Sequence, residues 1–332
     1  MSNELQLSEV FGGDTREFTN WARAVVNKKE LTEGQLAISQ DMNKLGKLIA
    51  DSGVGSAELS QYIRRVVEEE VYNQPSELLD YMFTQGEIGE FDDYGSQGSW
   101  KNTLIAHESA PRGGSVDKSY VTFNASKTGS AHLQIETEIR YDDLRRDGAL
   151  TIAQLTMYAI EALQNKKFQI IFAKINEGLI SGDNVFTGSG LTVPMMDNFA
   201  GYLQDYSTSG NTLMVGLSTT LRGIKNMPDF EKFLSSDMKN ELNMGCNILD
   251  VYGGVRVSQV RAGKKLADGT PLLPEKTIFG FTDKIGICNM RGDLRVYQTP
   301  NNQKEILELK FTGYEFVYSI DYPERIAKLK IS

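Results

Sequence analysis

The chain has 332 residues, 40% of them hydrophobic and 24% charged, which excludes wholesale disorder and collagen-like structure and leaves enough length to bury one large core or two modest ones. Its 35 Lys+Arg against 44 Asp+Glu give a net charge of −9, a poor basis for gripping phosphate. Two cysteines (Cys246, Cys288) and two histidines (His107, His132) exclude a disulfide framework and a multi-cysteine zinc module and leave little for imidazole chemistry.

Charge is unevenly placed. Residues 1–110 hold 9 basic and 19 acidic side chains, a net of −10, while residues 111–332 hold 26 and 25, a net of +1. Such an asymmetry marks an arm or interaction element. The opening Met1-Ser2-Asn3-Glu4-Leu5 has neither a basic start nor an apolar run, so no targeting signal is expected, and no window approaches the roughly 18 apolar residues of a membrane span. Asn124-Ala125-Ser126 is then a chance glycosylation pattern in a protein made in a reducing cytoplasm.

Residues 4–82 read as several short helices. Asp14-Thr15-Arg16-Glu17 caps a stripe of Phe18, Trp21, Ala22, Val25 and Val26; Leu59, Ile63, Val66 and Val67 repeat the spacing; a third piece follows Pro75. Each stripe is too narrow for a core of its own, so these helices are expected to lie on something else. Residues 84–141 turn glycine-rich. Within them His132 to Tyr141 alternates apolar and polar residues like a half-covered strand. Ser119 to Ala125 offers it a partner across a turn at 126–130, which predicts a long hairpin.

The strongest helix follows, capped by Asp147 or Thr151 and running through Leu155, Ala159, Leu163, Ile171 and Ile175 to Gly178 or Gly182. Thirty residues would span about 45 Å. From 182 to 299 the signals mix: Leu213 to Lys225 and Phe230 to Leu242 read as helical, and Val255–Val260, Thr277–Phe281 and Leu294–Tyr297 as strands, an α+β layer. The C-terminus reads as an antiparallel meander, Glu305–Phe311, a turn at Thr312-Gly313, Tyr314–Ile320, a turn at Asp321-Tyr322-Pro323, and Arg325–Ile331.

No motif commits to catalysis. Neither the Walker pattern nor G-x-G-x-x-G occurs, and Gly263-Lys264-Lys265 lacks the upstream glycine and the following hydroxyl residue. Cys246 and Cys288 read as packed thiols, and His132 as a surface group. Glu136 with Glu138, Asp142 with Asp143 and Asp92 with Asp93 are pairs expected by chance in so acidic a chain. Arg145-Arg146, Lys166-Lys167 and Lys264-Lys265 are doublets, not a nucleic-acid-binding stripe. No catalytic, cofactor-binding or metal-binding residue is therefore nominated, and no cofactor is expected.

In its order of elements the chain resembles the major capsid protein of tailed bacteriophages with the Hong Kong 97-type fold. The likeness covers residues 90–332 and rests on Ser119 to Tyr141 as the E-loop, Asp142-Asp143-Leu144 leading to Gly182 as the entry and spine helix, Tyr252-Gly253-Gly254-Val255-Arg256-Val257-Ser258 as an A-domain strand, and the ending from Gly313-Tyr314-Glu315-Phe316 to Leu329. The resemblance implies an α+β fold with an N-terminal helical arm (1–83), an extended E-loop region (84–141), a P-domain of spine helix and C-terminal meander (142–185 and 300–332) and an A-domain (186–299). It also implies a non-enzymatic protein that self-assembles as hexamers and pentamers into an icosahedral virion shell enclosing double-stranded DNA without sequence-specific binding. A separate scaffolding protein, a portal and decoration proteins are the implied partners, with no membrane. The arm is expected to stay uncleaved, and arm and hairpin to draw their stability from neighbouring subunits, so that deleting Gly113 to Glu136 should leave a folded subunit but block closed shells. Lys118 or Lys127 with Asn301 or Asn302 are the pairs available for the covalent crosslink of the family's prototype. The alternatives are an encapsulin-like bacterial compartment shell and a soluble enzyme of another family.

Overall fold

The computed structural model describes residues 15–73, 77–90, 92, 98–102, 104, 121–180, 182–228, 250–266 and 268–331. Its axis is helix α5, Tyr141–Gly178, preceded by α1 (Thr15–Val26), α2 (Glu33–Ser52), α3 (Ala57–Glu68) and α4 (Glu77–Met82). Asp147 interrupts α5 with non-helical angles (φ −154°, ψ 76°), separating a short lead from the long spine that follows. Asp147 Oδ1 accepts the Leu150 N–H at 3.1 Å, and Asn43 Oδ1, from α2, accepts that of Ala149 at 2.9 Å. These two bonds satisfy donors a helix start leaves open, so Asp147 is the cap and Thr151 is not. At the other end the Lys328 ammonium donates to the carbonyls of Asn176 and Leu179 at 3.2 and 3.0 Å, a cation at the negative end of the helix dipole. Leu163 sits buried midway along the spine. Leu163→Pro removes a ladder bond and is expected to cost about 3 kcal/mol or more, read as a lowered urea midpoint or loss of soluble protein.

The N-terminal helices pack on this spine within their own chain. Phe18, Trp21, Met42, Val66 and Val67 are fully buried. The Phe18 ring lies 5.1 Å from Trp21 and 6.5 Å from Tyr62, and the Trp21 indole N–H donates to Ser39 at 2.8 Å. Helices α2 and α5 cross backbone to backbone at two glycines: a Cβ on Gly46 would stand 2.9 Å from the Gly148 Cα, and one on Gly148 3.1 Å from the Gly46 Cα. The expectation that these helices depend on neighbouring subunits is corrected, because their apolar stripes are already covered within the chain, by α5, by one another and, for α3, by the strand at Arg295–Asn301.

Two sheets flank the spine. In the first, β12 (Ile306–Ile320) pairs along one edge with β4 (Lys127–Arg140), and along the other with β11 (Arg295–Asn301) and β10 (Gly286–Arg291), which continues to β1 (Phe83–Ile88) in parallel. In the second the order is β5 (Val185–Gly188), β13 (Ile326–Ile331), β9 (Thr277–Thr282), β6 (Thr212–Leu217), β8 (Val255–Val260) and β7 (Val251–Tyr252). One face of this sheet, with Leu213, Val215, Phe279 and Phe281, joins the main core; the other, with Met214, Ile278 and Leu329, packs under α6 (Val193–Tyr206).

Four sequence expectations are overturned here. The hairpin is mispaired: β4 starts at Lys127 and runs with β12, while Val121–Ala125 (β3) pairs with Gly98–Asn102 (β2). Residues 213–217 are strand β6, not helix, and only Ser218–Leu221 (α7) and the 3-10 turn Arg222–Asn226 are helical. Thr312-Gly313 is a bulge inside one continuous strand, with Gly313 at φ 86°, and not a turn. The last strand leaves the first sheet and pairs with β5 and β9, so the ending is no meander. Deleting Gly113 to Glu136 would remove Lys127–Glu136, most of the 14-residue β4, so that deletion is expected to unfold the subunit. The helix expected at 230–242 and residues 119–120 lie outside the described residues.

Candidate assembly surfaces

Residues with chemical potential are either spent inside the fold or spread apart. The Cys288 thiol is 1% exposed, and burial pushes its pKa up, the opposite of an activated nucleophile. His132 is exposed on β4, opposite Glu315. His107, Cys246, Asp93 and Lys118 lie outside the described residues. Glu136 is ion-paired to Lys310, Asp142 to Arg145 at 3.2 Å and Asp143 to Arg146 at 3.0 Å, while Asp92 accepts the Gly89 N–H at 3.1 Å. Asn302 accepts the Tyr141 hydroxyl at 2.9 Å, and Asn301 the Lys304 N–H at 3.3 Å, so both asparagines are engaged within the subunit. Among the described residues no group of three or more His, Cys, Asp or Glu is placed to hold a metal, and no helix is long and apolar enough to cross a membrane.

Several members of the basic doublets are similarly occupied. Arg145 donates to Asp51 at 3.1 Å and to the Ala50 carbonyl at 3.0 Å, Lys166 to Gln169 at 2.9 Å, and Lys264 pairs with Glu161 at 3.3 Å. Lys167 is the exception: it is 3% exposed, with the Met290 sulfur at 3.3 Å and the Phe316 ring centroid at 5.7 Å as its nearest partners. Burial holds its amine below the ordinary lysine range, against a small opposing pull from Cys288. Lys167→Met keeps the volume and removes the desolvation cost, so it is expected to stabilise the subunit by about 1–3 kcal/mol. Because the folded-state pKa is depressed, wild-type stability climbs as pH rises from that value toward the unfolded one near about 10.4. The variant should lack this climb, which urea midpoints measured across pH 7–10 would show.

Exposed apolar surface concentrates on the β2–β3 ribbon. Trp100 and Phe123 face each other across it, edge to face with centroids 5.3 Å apart, and are 70% and 42% exposed. Exposed Leu104 and Val121 adjoin them in sequence. No described residue from 98 to 125 belongs to the buried core. Beside the ribbon base a groove of about 940 Å³ runs along the end of α5 and the Pro323 turn, lined by Trp100, Ser126, Lys174, Tyr206, Tyr318 and Tyr322. A two-stranded ribbon with an uncovered aromatic face is marginal alone in water. The alternation in β4 revealed a strand but not its partner, and the Trp100 side of the ribbon carried no sequence signal.

No protein-family model matches the chain, and no curated protein matches it in sequence. Solved structures do. A chain of Gordonia phage Cozz aligns with a TM-score of 0.52 at 13% identity, covering 78% of this chain and 87% of that one. A chain of Mycobacterium phage Ogopogo gives 0.52 at 13%, covering 78% and 92%. The capsid structure of the cyanophage P-SCSP1u gives 0.51 at 8%, covering 78% and 89%. The chain therefore has the capsid fold of tailed phages.

Proposed function

We propose that this chain is a major capsid protein that self-assembles, through hexameric and pentameric capsomers, into the icosahedral shell enclosing phage double-stranded DNA. One observation carries the reading beyond the fold: the β2–β3 ribbon presents Trp100 and Phe123 outward and none of its described residues belongs to the buried core, as in an element built to lie over a neighbouring subunit. The spine helix with the first sheet serves as the P-domain and the second sheet with α6 as the A-domain, so β10 and β11 leave the expected 186–299 and β13 leaves the expected 300–332; 98–125 is the projecting part of the extended loop region 84–141. The 1–83 segment is an arm in sequence order, and its described helices fold back on the spine of their own chain. The role is structural, not enzymatic, in the virion, after synthesis in the host bacterial cytoplasm. A separate scaffolding protein, a portal and decoration proteins are the proposed partners.

Negative-stain microscopy and gel filtration of the expressed chain test this. Capsomers or closed shells are expected. A stable monomer or small oligomer under every condition would overturn the proposal.

A further inference from the structure

A second groove, of about 780 Å³, opens between α5 and β8. Arg256, Arg261 and Lys264 line it, with Asn165, Gln259 and Tyr81. Lys264 is shared with Glu161 at 3.3 Å, whereas neither Arg256 nor Arg261 forms an ion pair among the described residues. The amides of Asn165 and Gln259 make no side-chain hydrogen bond there either. Tyr81 adds an independent sign: its hydroxyl is buried and has no hydrogen-bond partner. Burial pushes its pKa up to about 12, with Asp283 adding and Arg256 opposing, so it stays a protonated donor. A buried hydroxyl left without a partner costs about 1–3 kcal/mol. Glu77 is the one acid lining the groove.

Convergent donors of this kind want an oxyanion. A single carboxylate offers two oxygens, fewer acceptor positions than two guanidinium forks, an ammonium and a phenol can fill. A phosphate offers more oxygens and matches the fork geometry of arginine, and the groove lies within the size range of sites that hold a ligand as large as a nucleotide. We propose that this groove binds a phosphate group of nucleic acid, as a local contact point for the enclosed DNA. This rests on the capsid reading for the source of the phosphate, and the geometry alone for the oxyanion. The sequence hid the groove, because Arg256 and Arg261 are isolated residues that only the fold brings beside Tyr81 and Lys264.

Fluorescence anisotropy of a short labelled DNA duplex on the soluble full-length chain, titrated with salt, compares wild type with the double variant Arg256→Gln/Arg261→Gln. A control, Lys304→Gln/Lys330→Gln, removes two exposed charges elsewhere. At low salt the groove variant should lose at least about tenfold in affinity and its salt slope should fall by roughly two, with the control changing far less. Inorganic pyrophosphate should compete on wild type and not on the groove variant, and Tyr81→Phe should weaken that competition. Equal losses in both double variants would reduce the effect to net charge and overturn the site. So would a groove variant that binds DNA like wild type but fails to form shells, which would make the groove a contact between copies. Microscopy of the same samples separates the two readings: shells from the groove variant leave the capsid function standing whatever the DNA result, and wild type without capsomers or shells refutes the function while the pyrophosphate result still judges the oxyanion site.

Discussion

A chain beginning at Gly53 is expected to be insoluble or molten, not a lighter but competent subunit. Helices α1 and α2 contribute Phe18, Trp21, Ala22, Ile38, Met42, Leu45, Ile49 and Ala50 to the buried core. Trp21→Ala alone should cost about 3–5 kcal/mol. A whole domain is stable by only about 5–15 kcal/mol, so losing all of these side chains together exceeds what the fold can absorb. Their removal also uncovers α5 around Gly148, where the two helices touch through backbone atoms, and takes away Asn43, which caps the spine. Solubility and near-ultraviolet circular dichroism of the truncated chain provide the check. The same reasoning predicts that mature particles retain residues 15–52, as intact mass measurement would show. A particle protein starting beyond Ser52, or a truncated chain with a cooperative native melt, would refute it.

How much of this was legible in the sequence depended on whether the decisive partner was near or far along the chain. The spine announced itself because its signals are local: a 3 and 4 spacing and an Asp147 cap. Strand β6 did not, because both its faces are covered and every residue from Thr212 to Leu217 is buried, which erases the alternation that marks a strand. Helix α6 was missed although Met196, Phe199, Ala200 and Leu203 keep helical spacing after Pro194, within a region whose glycines drew attention to turns. Ser126 to Ser130 reads as a turn because of Gly129. In the fold Gly129 is a strand residue facing Tyr318, and a Cβ there would stand 2.6 Å from the tyrosine ring. The glycine is explained by a residue far along the chain, which no local pattern encodes. Gly313 is a parallel case: its left-handed backbone serves a bulge, where an added Cβ would meet the Asp293 carbonyl at 2.4 Å. Assembly surfaces are harder still to read, since Trp100 and Phe123 become informative only once they are seen to be uncovered.

Excising the ribbon should separate folding from assembly. Gly98 and Ala125 are register partners across β2 and β3, so their Cα atoms lie about 5 Å apart and an Asn-Gly turn can join them in place of residues 99–124. No described residue removed by this cut belongs to the buried core, and β4 remains paired with β12 from Lys127 onward. The shortened chain should therefore melt cooperatively within a few degrees of wild type. It should form no closed shells, because the aromatic face that would bind a neighbour is gone. Deleting 113–136 instead should abolish the melt itself, since it breaks the pairing of Lys127–Glu136 with the middle and end of β12. Thermal circular dichroism and electron microscopy of both variants distinguish these outcomes. Closed shells of wild-type size from the ribbon-less chain would show that the Trp100–Phe123 face is not an assembly contact, whereas a folded 113–136 deletion would show that β4 is dispensable to the sheet.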